Sequence, residues 1–158
     1  MRASHAVAQH SSLVRPVSSD PSVGAKPSVL VVEDETFVRN AACAILEGAG
    51  YTVLAARNAA EAKNLLEDHS ESVGILFSDV VLPGQNGCEL ADELRAQYPA
   101  MRMILTSGYP CEADEESCHN GVFYLPKPFS ADALLNKVRQ VWPHAQNRNQ
   151  PRRGADIA

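Results

Sequence analysis

A parallel β-sheet covered by helices on both faces is the fold class this sequence predicts, and three observations carry the prediction. Apolar, β-branched runs of five to seven residues alternate with helix-spaced segments through the middle of the chain. Those runs are apolar at successive positions rather than at every second one, which marks strands buried on both faces. Capping residues, single glycines and prolines punctuate each change of type.

The run "SVLVV" (28–32) predicts the first strand. In "DETFVRNAACAILEGAG", Phe37, Val38, Ala41, Ala42, Ile45, Leu46 and Ala49 recur at helical spacing, and Gly50 is the stop. "YTVLAA" (51–56) is the second strand. Asn58 caps a helix running to about Asp68, with Ala62, Leu65 and Leu66 as its apolar side. "VGILFS" (73–78) is the third strand, and "GCELADELRAQY" (87–98) a helix ended by Pro99. "MRMILTS" (101–107) and "GVFYL" (121–125) are strands four and five, and "SADALLNKVRQVW" (130–142) is a last helix capped by Ser130, with Trp142 in the core. Between strands four and five, "CEADEESCHN" is too polar and short to predict a helix.

Composition narrows the classes of function. A chain of 158 residues with 45% apolar content supports one ordinary domain. Residues 1–27 and 143–158 read as polar, disordered arms flanking a domain over 28–142. Each arm carries +2 and the middle −9, for a net charge of −5. An acidic domain argues against nucleic-acid binding through its folded surface, because phosphates require a basic face. No apolar run is long enough to span a membrane and the first residues lack a signal-peptide core, so a cytoplasmic location is expected. The four cysteines form no CxxC pair, which fits buried thiols in a reducing compartment. Cys111, Cys118 and His119 would leave a tetrahedral metal site one ligand short.

Ligands of such sheets sit beyond the carboxyl ends of the strands. Strand three ends in "FSDVVLPGQNG", which brings Asp79 to that rim just before the turn at Pro83 and Gly84. Strand one delivers Glu33 and Asp34, strand four Thr106 and Ser107, and strand five Lys127. Crowded carboxylates favour protonation unless a cation joins them. An open site of oxygen ligands suits a hard divalent ion such as Mg²⁺. A carboxylate is also a competent nucleophile toward phosphorus, forming an acyl phosphate.

"VLVVEDE", "FSDVVLPGQNG", "LTSGY" and "YLPKPF", in this order and spacing, resemble the receiver domain of two-component response regulators over about residues 28–142. The resemblance implies a flavodoxin-like, CheY-like fold: five parallel strands in the order 2-1-3-4-5, with helices on both faces. It implies Asp79 as phosphoacceptor, Asp34 as a direct Mg²⁺ ligand, Glu33 acting through water, and the carbonyl of Val81 as a further ligand. Lys127 would pair with the phosphoryl group, and the Lys127–Pro128 bond is often cis in the family. Ser107, followed by the small Gly108, fits the switch hydroxyl better than Thr106, and Tyr124 matches the aromatic whose rotamer follows it. A histidine kinase or histidine phosphotransfer protein is the implied phosphodonor, and the 111–142 face would engage a downstream protein target. Phosphorylation-dependent homodimerisation stays open.

Two departures from the family pattern stand out. Val81 and Tyr109 occupy the positions that shape access of the hydrolysing water, and neither can orient it, so slow self-dephosphorylation is expected. Segment 111–120 is thin where the family has its fourth helix, so the output face is expected to be reshaped. Only a polar tail follows residue 142, which suits a stand-alone receiver or one excised from a hybrid kinase, a signalling module rather than an enzyme. Among rivals, a haloacid-dehalogenase-like phosphatase would need an acid where Val81 stands. A flavodoxin-like cofactor binder would need a phosphate loop in place of "EDETF". A phosphorylation-independent, receiver-like interaction module is the remaining alternative.

Overall fold

The computed structural model of the chain describes residues 25–109 and 121–143. Nine elements are present among them: β1 Ser28–Val32, α1 Thr36–Gly48, β2 Val53–Ala56, α2 Ala59–His69, β3 Val73–Asp79, α3 Gly87–Gln97, β4 Arg102–Ser107, β5 Val122–Pro126 and α4 Ala131–Val141. All strand pairings are parallel, and the sheet order is β2-β1-β3-β4-β5. The order and class implied by the family resemblance are therefore those of the molecule. The segment 111–120 and the two arms, apart from residues 25–27 and 143, lie outside the described residues.

Successive strand residues divide between two cores because side chains alternate across a sheet. Leu30, Val32, Leu76, Met103 and Leu105 pack with Ala62 and Leu66 of α2 and Leu90 and Leu94 of α3. Val29, Val31, Ile75, Phe77 and Ile104 pack on the opposite face with Leu46 of α1 and Leu134 and Val138 of α4. The expected caps form: Asn58 accepts from the Glu61 amide and Ser130 from the Ala133 amide, each satisfying a free helical N–H. Gly50 ends α1 at φ 88, a conformation that excludes most side chains.

Three expectations are corrected. The apolar positions of α1 form a stripe wider than its buried face, because a strip facing one sheet holds only part of the circumference. Ala42 and Leu46 are buried, whereas Phe37 is 88% exposed. The second strand starts at Val53 rather than Tyr51, since the Tyr51 amide bonds back to the Leu46 carbonyl and is spent before the ladder begins. Trp142 is only partly buried: it caps the lower end of the sheet, where Gly74 leaves room for the Trp142 ring and Pro27.

Candidate functional site

The carboxyl ends of β1, β3, β4 and β5 meet at one rim, and local backbone events shape it. Asp79 is the last residue of β3 and is buried at 8% exposure. The chain then turns through Pro83 and Gly84, the latter at φ 83, as a proline-glycine turn requires. Asn86 caps α3 by accepting from the Cys88 amide, and the Gly87 amide donates to the Val80 carbonyl at 2.8 Å. The end of β4 is pinned on both sides: the Val80 amide donates to the Thr106 carbonyl and the Lys127 amide to the Ser107 carbonyl, both at 2.9 Å. The Lys127–Pro128 peptide is cis.

Lys127 organises the charges. Its ammonium donates to Asp79 Oδ2 and Glu33 Oε2, each at 2.7 Å. Asp79 Oδ1 accepts from the Val81 amide at 3.0 Å, so both oxygens of this carboxylate have donors. Glu33 Oε1 accepts from the Glu35 amide at 3.1 Å. Glu33, Asp34 and Asp79 each offer an oxygen within 4.8 Å of the others. Two of these carboxylates are buried and Asp34 is exposed, so the cluster opens to solvent on one side. Three negative charges against one lysine leave a net deficit of cation. An oxygen-only, open donor set of that charge fits Mg²⁺ or a similar hard divalent ion.

Burial pushes the Glu33 carboxyl above its ordinary value of 4.5, and the neighbouring Asp79 charge adds to this, against hydrogen bonds from Lys127 and the Glu35 amide. Burial alone would lower Lys127, but its hydrogen bonds to Asp79 and Glu33 carry it above 10.5. A carboxyl that binds its proton more tightly in the fold contributes its full stabilisation below the unfolded pKa and loses it as pH rises through the folded one. Glu33 therefore weakens the metal-free fold above about pH 4.5. Lys127 contributes stability that is full below about pH 10.5 and is lost as pH rises through its raised folded value. Glu33→Gln is expected to raise the melting temperature of the metal-free protein by about 2–4 °C at pH 7 and to change it little at pH 4. Thermal unfolding at the two pH values checks this, and a gain of equal size at both would exclude the ionisation as its cause.

The predicted residues converge, with distinctions the sequence did not carry. Ser107 is buried and its hydroxyl accepts from the Tyr109 amide at 3.2 Å. By strand alternation it falls on the α2–α3 side with Leu105, the side where Tyr124 packs. Val81 and Tyr109 stand 59% and 76% exposed at the mouth of the site. Sequence reading missed Arg39, whose guanidinium donates to the Glu33 carbonyl at 2.9 Å. It also missed a polar clamp in which Lys63 of α2 and Glu93 of α3 hold Gln85 in the loop after β3. Long polar side chains at helical spacing give no sign of such partners until the helices are packed side by side.

Comparison with known proteins agrees with this geometry. The response regulator receiver domain family matches residues 29–139. Sensor kinase CckA of Brucella abortus (strain 2308) is 37% identical over 72% of the chain, a match that covers 12% of CckA. The aerobic respiration control protein ArcA of Escherichia coli (strain K12) is 32% identical over 77% of the chain and 50% of ArcA. The chain thus spans half or less of these curated relatives. The crystal structure of the receiver domain from the hybrid histidine kinase CckA superposes with a TM-score of 0.63 at 34% identity, covering 72% of this chain and 97% of that one. The Vibrio cholerae chemotaxis protein CheY4 superposes at 0.66 with 26% identity, covering 74% and 99%. Among the described residues no helix is long and apolar enough to cross a membrane.

Proposed function

The chain belongs to the response regulator receiver domain family of two-component systems, and from that premise we propose that it is a phosphoacceptor whose nucleophile is Asp79. The observation that carries the reading is Lys127, whose ammonium lies 2.7 Å from both Asp79 and Glu33 within a cluster of three carboxylates. A phosphohistidine on a kinase or phosphotransfer protein is the donor. An Asp79 carboxylate oxygen attacks phosphorus, the phosphorus–nitrogen bond breaks, and the electron pair returns to the imidazole, which takes up a proton. A divalent cation held by Glu33, Asp34, Asp79 and the Val81 carbonyl would offset charge on the phosphoryl oxygens. Lys127 supplies a positive charge already aligned on the nucleophile, so the barrier is lowered by positioning and charge compensation.

Ser107 then grips the new phosphoryl group and Tyr124 follows it inward, which alters the face formed by 111–142 toward a downstream protein target. This is a population shift set by new charge-assisted contacts. The folded unit is residues 28–142, the site of action is the cytoplasm, and phosphorylation-dependent dimerisation is the point at which oligomeric state would enter.

Incubation with acetyl phosphate and Mg²⁺, read by intact mass, tests the proposal. One added phosphoryl group is expected. No gain, together with no Mg²⁺ binding, would leave a receiver-like interaction module whose action does not depend on phosphorylation. Val81→Asn, which places a polar amide where the hydrolysing water would approach, is expected to shorten the acyl-phosphate half-life about tenfold, less than the roughly 10²–10⁴ that a true general base contributes. An unchanged decay rate would show that Val81 does not limit access of that water.

A further inference from the structure

Thr106 stands immediately before the switch hydroxyl, yet its own hydroxyl has no role in the mechanism above. It is wholly buried at 0% exposure. Among buried side-chain polar atoms of the described residues, Thr106 Oγ1 alone has no hydrogen-bond partner in the protein. A buried hydroxyl without a partner is held against a desolvation penalty, and valine would fill the same space without it. Nothing about packing therefore asks for threonine.

The register of the sheet shows what this hydroxyl faces. Thr106 lies directly opposite Asp79 in the β3–β4 pairing. Alternation places it with Ile104 on the α1–α4 face, the face to which Phe77, and hence Asp79, also belongs. Ser107 falls on the other face. The two adjacent hydroxyls therefore have different neighbours, and the one beside the nucleophile is Thr106. Its backbone cannot drift away, because its carbonyl is bonded to the Val80 amide.

Asp79 Oδ1 is served by the Val81 amide, but among the hydrogen bonds that hold Oδ2 the donor is Lys127, a lysine shared with Glu33. An incoming phosphoryl group draws that lysine toward itself. Resting on the phosphoacceptor reading, we propose that Thr106 is a positioning residue: by rotation about χ1 its hydroxyl donates to the Asp79 oxygen that Lys127 releases. The donor stands ready on a strand bonded to the residue after Asp79, so the carboxylate keeps its orientation while phosphorus approaches. The resting fold bears an unpaired hydroxyl as the cost of holding that donor in place.

The test uses the full 158-residue chain with acetyl phosphate and saturating Mg²⁺, comparing wild type with Thr106→Val, Thr106→Ala and Thr106→Ser. Thr106→Val is expected to unfold at a higher temperature than wild type when unphosphorylated. It is nevertheless expected to take up phosphoryl about tenfold more slowly, the size expected for losing a donor to a charged oxygen. Thr106→Ala, a second donor-less variant, should share the slow transfer, and Thr106→Ser, which retains the donor, should restore it. Wild-type rates in the valine and alanine variants would overturn the proposal. So would a serine variant as slow as valine, since packing of the methyl would then be what matters. A wild-type chain that takes up no phosphoryl would instead overturn the phosphoacceptor reading itself, and this proposal with it.

Discussion

Asp79→Asn is expected to abolish phosphoryl uptake from acetyl phosphate while leaving the fold intact. Asparagine has the same shape, so the Val81 amide keeps an acceptor in place of Oδ1. What disappears is the anionic oxygen that would attack phosphorus, and a neutral amide oxygen is a poor substitute. Two effects on stability oppose each other: the amide nitrogen takes the place of Oδ2 and cannot accept from Lys127, whereas the charge on Glu33's neighbour is gone. Asp79 is one of the charges that push the buried Glu33 carboxyl upward, and removing it relieves that repulsion while Lys127 keeps its bond to Glu33. Intact mass should show no added phosphoryl, and the melting temperature in the absence of Mg²⁺ should stay within about 3 °C of wild type, the shift that about 1 kcal/mol produces in a chain of this size. Retained uptake would move the nucleophile to another residue. A collapse in stability would mean that Asp79 is needed for the fold rather than for transfer.

Gly87→Ala should give the largest loss of stability of any single methyl added near the site. A Cβ at Gly87 would lie 2.0 Å from the Asp79 carbonyl oxygen and 2.9 Å from its carbon. Both atoms are backbone, so no side chain can turn aside to make room. The first turn of α3 has to move away from β3, breaking the bond from the Gly87 amide to the Val80 carbonyl. Overpacking that only backbone movement can relieve costs about 3 kcal/mol, or roughly 10 °C in melting temperature. Because the displaced backbone carries Asp79 and Val80, transfer from acetyl phosphate should slow as well. Thermal unfolding followed by circular dichroism checks the first effect and intact mass the second. A melting temperature within about 2 °C of wild type would show that α3 is free to shift, and the tight contact would then have no energetic weight.

Much of the fold was legible in residue patterns because strands and helices are chosen over short stretches of chain. β1 falls on "SVLVV" as read, and Asn58 and Ser130 cap as read, since a cap depends on residues three positions apart. The boundary at Tyr51 was not legible, because it turns on a backbone bond to the preceding helix. Phe37 had the right spacing for the helix, but the width of the buried stripe depends on how closely α1 lies against the sheet. The strand order came from resemblance to a family, since no short pattern states which strand lies beside which.

For the site, the sequence by itself determined the inventory. It ends β3 on an acid, follows β1 with two more, and brings hydroxyls and a lysine to the ends of β4 and β5. Only the tertiary structure decided which of them meet. Lys127 reaches Glu33 across 94 positions of chain and Asp79 across 48, contacts that exist only because four strand ends lie in one register. The same register sets Thr106 beside Asp79, one position before Ser107. Backbone preferences act over a few residues and so can be read along the chain. Charge, burial and hydrogen bonding act through space, and they take their values from neighbours that the fold alone supplies.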